Sequence, residues 1–183
     1  MATAMTELIG VMRKKDKDKS GNIAFDCYPR MINLCCIKED YDFAEEIARE
    51  ALYVCELNNL TDKDMETLII KDGLAKALYY LQKNEEAQIY AKSAYESRKK
   101  AFGDGAPYTI KPMFNYAVIL NALDNQNPES KRLMENALKY SNDLYGPNHP
   151  KTIKIRDSYS AIFGEFRQER PQGKEKKFKV DLF

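Results

Sequence analysis

Residues 101–126 read AFGDGAPYTIKPMFNYAVILNALDNQ, and residues 144–166 read LYGPNHPKTIKIRDSYSAIFGEF. Each runs aromatic residue, Gly, three residues, Pro, one residue, Thr-Ile, and then an apolar, aromatic-rich stretch. Phe102 pairs with Tyr145, Gly103 with Gly146, Pro107 with Pro150, Thr109 with Thr152, and Tyr116 with Tyr159, each at an offset of 43. The same offset links Ala51, Ala94 and Ala137, and it links Ala44, Ala87 and Ser130. The phase holds across all of these pairs. A fixed period of about 20–50 residues is the signature of a repeat array.

The pattern within one period says what the unit is. DYDFAEEIAREALYVCEL (residues 40–57) places Phe43, Ile47, Ala51 and Val54 along one face at helical spacing. EEAQIYAKSAYESRKKAF and ESKRLMENALKYSNDLY repeat that design. A more apolar segment precedes each: MINLCCI, LAKALYYL and YAVILNAL. Short polar turns, KED, QKN and DNQNP, separate the two. Each unit is therefore expected to be a pair of antiparallel helices. No β-branched alternation occurs, so no sheet is expected. The predicted fold is all-α: a short α-solenoid of about three helical hairpins with terminal capping helices. Two helix axes cross closely only where side chains are small. The Ala and Ser positions at the 43-residue offset therefore read as crossing points, where a large residue would cost about 1–3 kcal/mol.

The order of large residue, small residue and aromatic before the turn, then Ala at helical spacing after it, resembles the tetratricopeptide repeat. FGDGAPYTI and YGPNHPKTI resemble the connector of the kinesin-light-chain type of that repeat. The resemblance covers about residues 23–167 and is most specific in the third repeat. Departures are Ile32, where the family prefers a small residue, a connector NNLTDKDMETL without Gly and Pro, and Ser130 in place of Ala. The repeated phrase then ends one long helix and begins the next. Gly103 and Gly146 fit a C′ position needing positive φ. Pro107 and Pro150 fit a first helical turn, where a missing N–H matters little. His149 reads as a capping or turn-packing residue.

The expected organisation is an N-terminal capping helix and charged loop over residues 1–22, the repeat domain over 23–167, and a tail over 168–183. Pro29 and Pro112 lie near helix starts. The stretch 167–183 has six basic and three acidic residues, a net charge of +3, yet it ends FKVDLF. A flexible basic tail is expected for most of it. Phe178, Val180, Leu182 and Phe183 make a candidate docking motif, for a partner or for the protein's own groove.

Composition narrows the function. With 29 basic and 28 acidic side chains the net charge is +1, far from the basic excess of a nucleic-acid binder. No apolar run is long enough for a membrane helix. The four cysteines, Cys27, Cys35, Cys36 and Cys55, form no CxxC pair, and His149 is the single histidine. They read as reduced structural thiols of a cytoplasmic protein, with the nucleus as a second location. No catalytic motif, metal site or cofactor site is found. Glu45-Glu46 and Glu85-Glu86 fall at starts of second helices, where acids suit the helix dipole. The resemblance implies a groove lined by first helices. Its candidate partner-binding residues are Asn33, Lys76, Tyr79, Tyr80, Asn115, Ile119, Ser158 and Ile162. Asn115 resembles the asparagines with which kinesin-light-chain repeats hold a peptide backbone, whereas Tyr79 and Tyr80 are as readily explained as core. The leading reading is a non-catalytic adaptor or scaffold taking a partner peptide or helix in the groove. A second reading is an architectural subunit of a larger complex that uses its end or convex faces.

Overall fold

The computed structural model describes residues 22–164 and 180–183, with side chains from Cys27 onward. The expected N-terminal capping helix, the charged loop up to residue 21, and residues 165–179, with Phe178 and most of the expected tail, lie outside the described residues, while Asn22, expected in the loop, begins a helix. Seven helices are present among those described: α1 (Asn22–Ile37), α2 (Tyr41–Leu57), α3 (Met65–Tyr80), α4 (Asn84–Phe102), α5 (Pro107–Leu123), α6 (Pro128–Tyr145) and α7 (Pro150–Phe163). No strand occurs among the described residues. Helix starts recur near the sequence period, α2, α4 and α6 at residues 41, 84 and 128, and α3, α5 and α7 at 65, 107 and 150. The chain divides into two compact units, one ending at Leu81 and one beginning at Gln82.

Repeat-equivalent residues have equivalent surroundings. Ala44, Ala51, Ala87, Ala94, Ser130 and Ala137 all have no exposed surface. In the second unit Ser130 shows why a small polar residue serves there: its hydroxyl donates to the Ala117 carbonyl of α5 at 2.7 Å. The turns that end α1 and α3 use the same left-handed residue, Glu39 at φ 61° and Gln82 at φ 63°. The connectors after α4 and α6 agree more closely still. Gly103 has φ 85° and ψ 163°, and Gly146 has φ 86° and ψ 163°, a region open to glycine almost alone. Their N–H groups donate to the carbonyls of Lys99 and Asn142 at 2.9 Å.

In the first unit α1 packs on both α2 and α3, and α2 packs on α3. The departure at Ile32 is explained here. Gly73 of α3 lies against it, and a Cβ on Gly73 would stand 2.5 Å from Ile32 Cγ2. The bulk missing from one helix is supplied by the other. Cys35, Cys36 and Cys55 are buried and Cys27 is exposed, and none of the four forms a disulfide. Burial pushes the Cys35 and Cys55 thiols above the ordinary cysteine range, which suits inert core residues.

In the second unit α4 packs on α5, α5 on α6, and α6 on α7. α5 is the central element, buried continuously from Pro112 to Leu120. Pro112 lies inside α5 and Pro29 inside α1, rather than at their starts. Each removes one backbone donor and leaves the carbonyl four residues earlier without its helical partner. Pro128 and Pro150 begin α6 and α7 behind capping residues: Asn127 Oδ1 accepts from the N–H of Glu129, and His149 Nδ1 accepts from that of Lys151. His149 also stacks on Tyr145, with ring centroids 4.8 Å apart, so it caps and packs its connector. The α4–α5 connector is held differently. The Tyr95 hydroxyl donates to Asp104 at 2.8 Å, and Lys99 Nζ lies 3.0 Å from the same carboxylate.

Two outcomes test this packing. Gly73→Val should lower unfolding free energy by about 1–3 kcal/mol, because the clash exceeds the helix-propensity gain of roughly half a kcal/mol. Adding Ile32→Ala should return part of that loss in chemical denaturation. Burial, aided by the Asp104 hydrogen bond, raises the Tyr95 hydroxyl well above the usual tyrosine range. Its folded-state value exceeds the unfolded one, so the stabilisation is present below about pH 10 and is lost as pH climbs through the raised value. Urea midpoints at pH 8 and pH 11 should therefore fall less in Tyr95→Phe than in the native chain.

Candidate peptide-binding groove

Four consecutive residues, Val180–Phe183, outside any helix, lie on the second unit and contact first-helix elements α5 and α7. Leu182 is 2% exposed, far below what a polar tail would show. The Phe183 ring meets Phe114 of α5 edge to face, with centroids 4.9 Å apart at 70°. The Phe183 N–H donates to Asn115 Oδ1 at 3.1 Å. From α7, Lys154 Nζ donates to the Leu182 carbonyl at 3.0 Å and lies 4.4 Å from the centre of the Phe183 ring. One helix thus supplies an aromatic floor and an amide, and the other supplies a cation that reads backbone and ring together.

The helical repeat explains how these residues converge. Asn115 and Phe114 sit mid-helix on α5, whose neighbours Met113, Ala117 and Ile119 are fully buried and fix its rotation. Lys154 is one period after Lys111, so both occupy the same position of a first helix. In the first unit α1 and α3 meet directly through Gly73 and Ile32. The position of Gly73, two periods later, is Tyr159 of α7. That buried ring sends its hydroxyl to Glu135 of α6 at 3.0 Å. The segment Val180–Phe183 contacts both α5 and α7.

The contacts are balanced rather than tight. A fully buried Leu contributes about 1.5–3 kcal/mol, each hydrogen bond about 1 kcal/mol, and the cation over the ring roughly 0.5–2 kcal/mol. Ordering four residues opposes this with about 1–2 kcal/mol each. The two sides are of similar size. One interaction is also incomplete: Asn115 is 2% exposed, and its Nδ2 is buried with no hydrogen-bond partner.

The other sequence-derived candidates fall in varied places. In the second unit Ile119 has no exposed surface and belongs to the core beneath Asn115, while Ser158 and Ile162 of α7 are half-buried. In the first unit Asn33 is exposed on α1, Lys76 is half-buried on α3, and Tyr79 is buried. Tyr80 stacks on Tyr41 of α2, with centroids 4.4 Å apart and planes 9° from parallel, and meets Tyr79 edge to face. Those rings join the second helix of one hairpin to the first helix of the next. Sequence reasoning passed over Phe114 and Lys154. The period would have found Lys154, through its alignment with Lys111; only packing reveals that Phe114 faces the groove. Among the described residues no three potential metal ligands cluster, and no helix is long and apolar enough to cross a membrane.

Comparison with known proteins agrees with this architecture. Residues 67–108 match the family model described as Tetratricopeptide repeat. Twenty solved chains match the fold. One is BtubC (BKLC) from P. vanneervenii, at 18% identity and a TM-score of 0.61, over 87% of this chain and 70% of that one. No curated protein matches the sequence.

The Phe183 amide proton reports the docked segment. It should exchange slowly by NMR in the native chain and in Asn115→Asp, which keeps an acceptor oxygen. In Asn115→Ala it should exchange at least about tenfold faster, the loss of roughly one hydrogen bond.

Proposed function

We propose that this chain, a tetratricopeptide-repeat protein, is a non-catalytic interaction module whose α5–α7 groove takes an extended peptide. Tetratricopeptide repeats generally mediate protein–protein interaction and are generally non-catalytic. One observation carries the finer reading: a non-helical segment, Val180–Phe183, is held on α5 and α7 by backbone and side-chain contacts together. An Asn that accepts from a backbone N–H does not depend on which residue bears it, so it secures chain direction. The Leu182 site and the Phe114 floor then select an aliphatic and an aromatic side chain. The motif Val180, Leu182 and Phe183 acts as the docking sequence, and Asn115, Phe114 and Lys154 act as the receptor. A role as adaptor or scaffold in the cytoplasm or nucleus follows from this reading.

The second reading, an architectural subunit, is favoured by Tyr53 and Leu57. They lie four residues apart on α2 and are 56% and 63% exposed. Such a pair on one helix face suits burial against a larger partner.

A direct titration tests the peptide reading. A fluorescein-labelled synthetic peptide carrying residues 177–183 is added to the full chain bearing Leu182→Ala and Phe183→Ala. Saturable binding in the range of about 10–500 μM is expected, typical of short peptides with few anchors. Adding Asn115→Ala should weaken it about tenfold. Lack of saturable binding to a folded chain would remove the proposal.

A further inference from the structure

Resting on that reading, we infer that Val180–Phe183 is a cis gate on the α5–α7 groove. A peptide from another protein must displace it, one that presents an aliphatic residue followed by an aromatic residue in extended form. The segment occupies the receptor atoms themselves. The Asn115 oxygen, the Phe114 face and the Lys154 ammonium are each engaged by residues 182 or 183. An incoming peptide cannot reach these atoms while the segment is docked.

Two features make the gate displaceable. Asn115 offers a backbone both an acceptor and a donor, and the docked segment uses the acceptor alone. The Nδ2 donor stays buried and unpaired, which lowers the segment's affinity relative to a ligand that also brings a carbonyl to that edge. Lys154 is divided between a carbonyl at 3.0 Å and a ring at 4.4 Å. The preferred trans ligand therefore supplies both a backbone N–H and a backbone C=O to Asn115, with a leucine-like and a phenylalanine-like side chain beside them.

The tether sets the strength of the gate. Fifteen residues separate Gly164 from Val180, a reach of roughly 50 Å at about 3.3–3.6 Å per residue. A short tether gives an effective concentration of order 1 mM. If the segment alone binds with a Kd of about 100 μM, occupancy in cis weakens a competitor about tenfold.

The experiment compares two full-length proteins, the native chain and the Leu182→Ala/Phe183→Ala chain, each checked for the same thermal transition. Both are titrated with a labelled synthetic peptide carrying residues 177–183 flanked by Gly-Ser on each side. In parallel, exchange of the Phe183 amide in the native chain is followed as unlabelled peptide is added. The gate predicts binding about tenfold tighter to the double variant, and loss of Phe183 protection in the native chain as the peptide saturates. Equal affinity for both chains, or peptide binding with Phe183 still protected, overturns the gate and leaves the peptide groove standing. No saturable binding to either chain overturns both.

Discussion

Small residues that recur at a fixed interval are completely buried where the helices of this protein pack. Ala44, Ala51, Ala87, Ala94, Ser130 and Ala137 have no exposed surface, as small residues at close helix crossings would. Everything else follows from that spacing. Small residues recurring at a 43-residue interval place the crossings at equivalent points along successive helices, and the hairpins inherit one geometry. The connectors then have to repeat as well, and Gly103 and Gly146 differ by one degree in φ. Repeat architecture here is the outcome of a steric rule applied at regular intervals.

The same rule bears on where a groove exists. In the first unit Ile32 departs from the small residue its position favours, and Gly73 on the facing helix removes its Cβ to make room. α1 and α3 meet there. In the second unit the position of Gly73 is held by Tyr159, and a peptide segment stretches between α5 and α7 instead. The receptor chemistry is minimal. Asn115 recognises any backbone with a free N–H, Phe114 favours an aromatic ring edge, and Lys154 reads a carbonyl and a π face together. Few contacts, each modest, give reversible rather than permanent occupancy, and the orphaned Asn115 donor shifts that balance further.

Much of the framework was legible beforehand. Glycine with positive φ, proline in the first turn and the cap at His149 are local rules, decided within a few residues of backbone, so the connector phrase alone disclosed them. The segment YAVILNAL of α5 was legible as the more apolar first helix of its pair, and the structure shows it buried from Pro112 to Leu120. Less legible were residues whose role depends on what lies opposite. Tyr80 was open to both a groove and a core reading from its place in the repeat, and its ring stacks on Tyr41 of α2. Ile119 shares the helical face of a binding position, yet it has no exposed surface. Helical spacing gives direction around one axis, and whether that direction meets solvent or a neighbour depends on a second axis.

From the order of residues alone came the period, the helical hairpin, the connector geometry and the identity of Val180, Leu182 and Phe183 as an apolar motif, because each rests on short-range sterics or on composition. Tertiary structure alone decided that this motif lies on Asn115, Phe114 and Lys154, residues far away along the chain, 68 positions in the case of Asn115 and Phe183. It also decided that Gly73 answers Ile32 across two helices. Such pairings depend on the distance between helix axes, which is set by the summed bulk of side chains from several segments and is written in none of them singly.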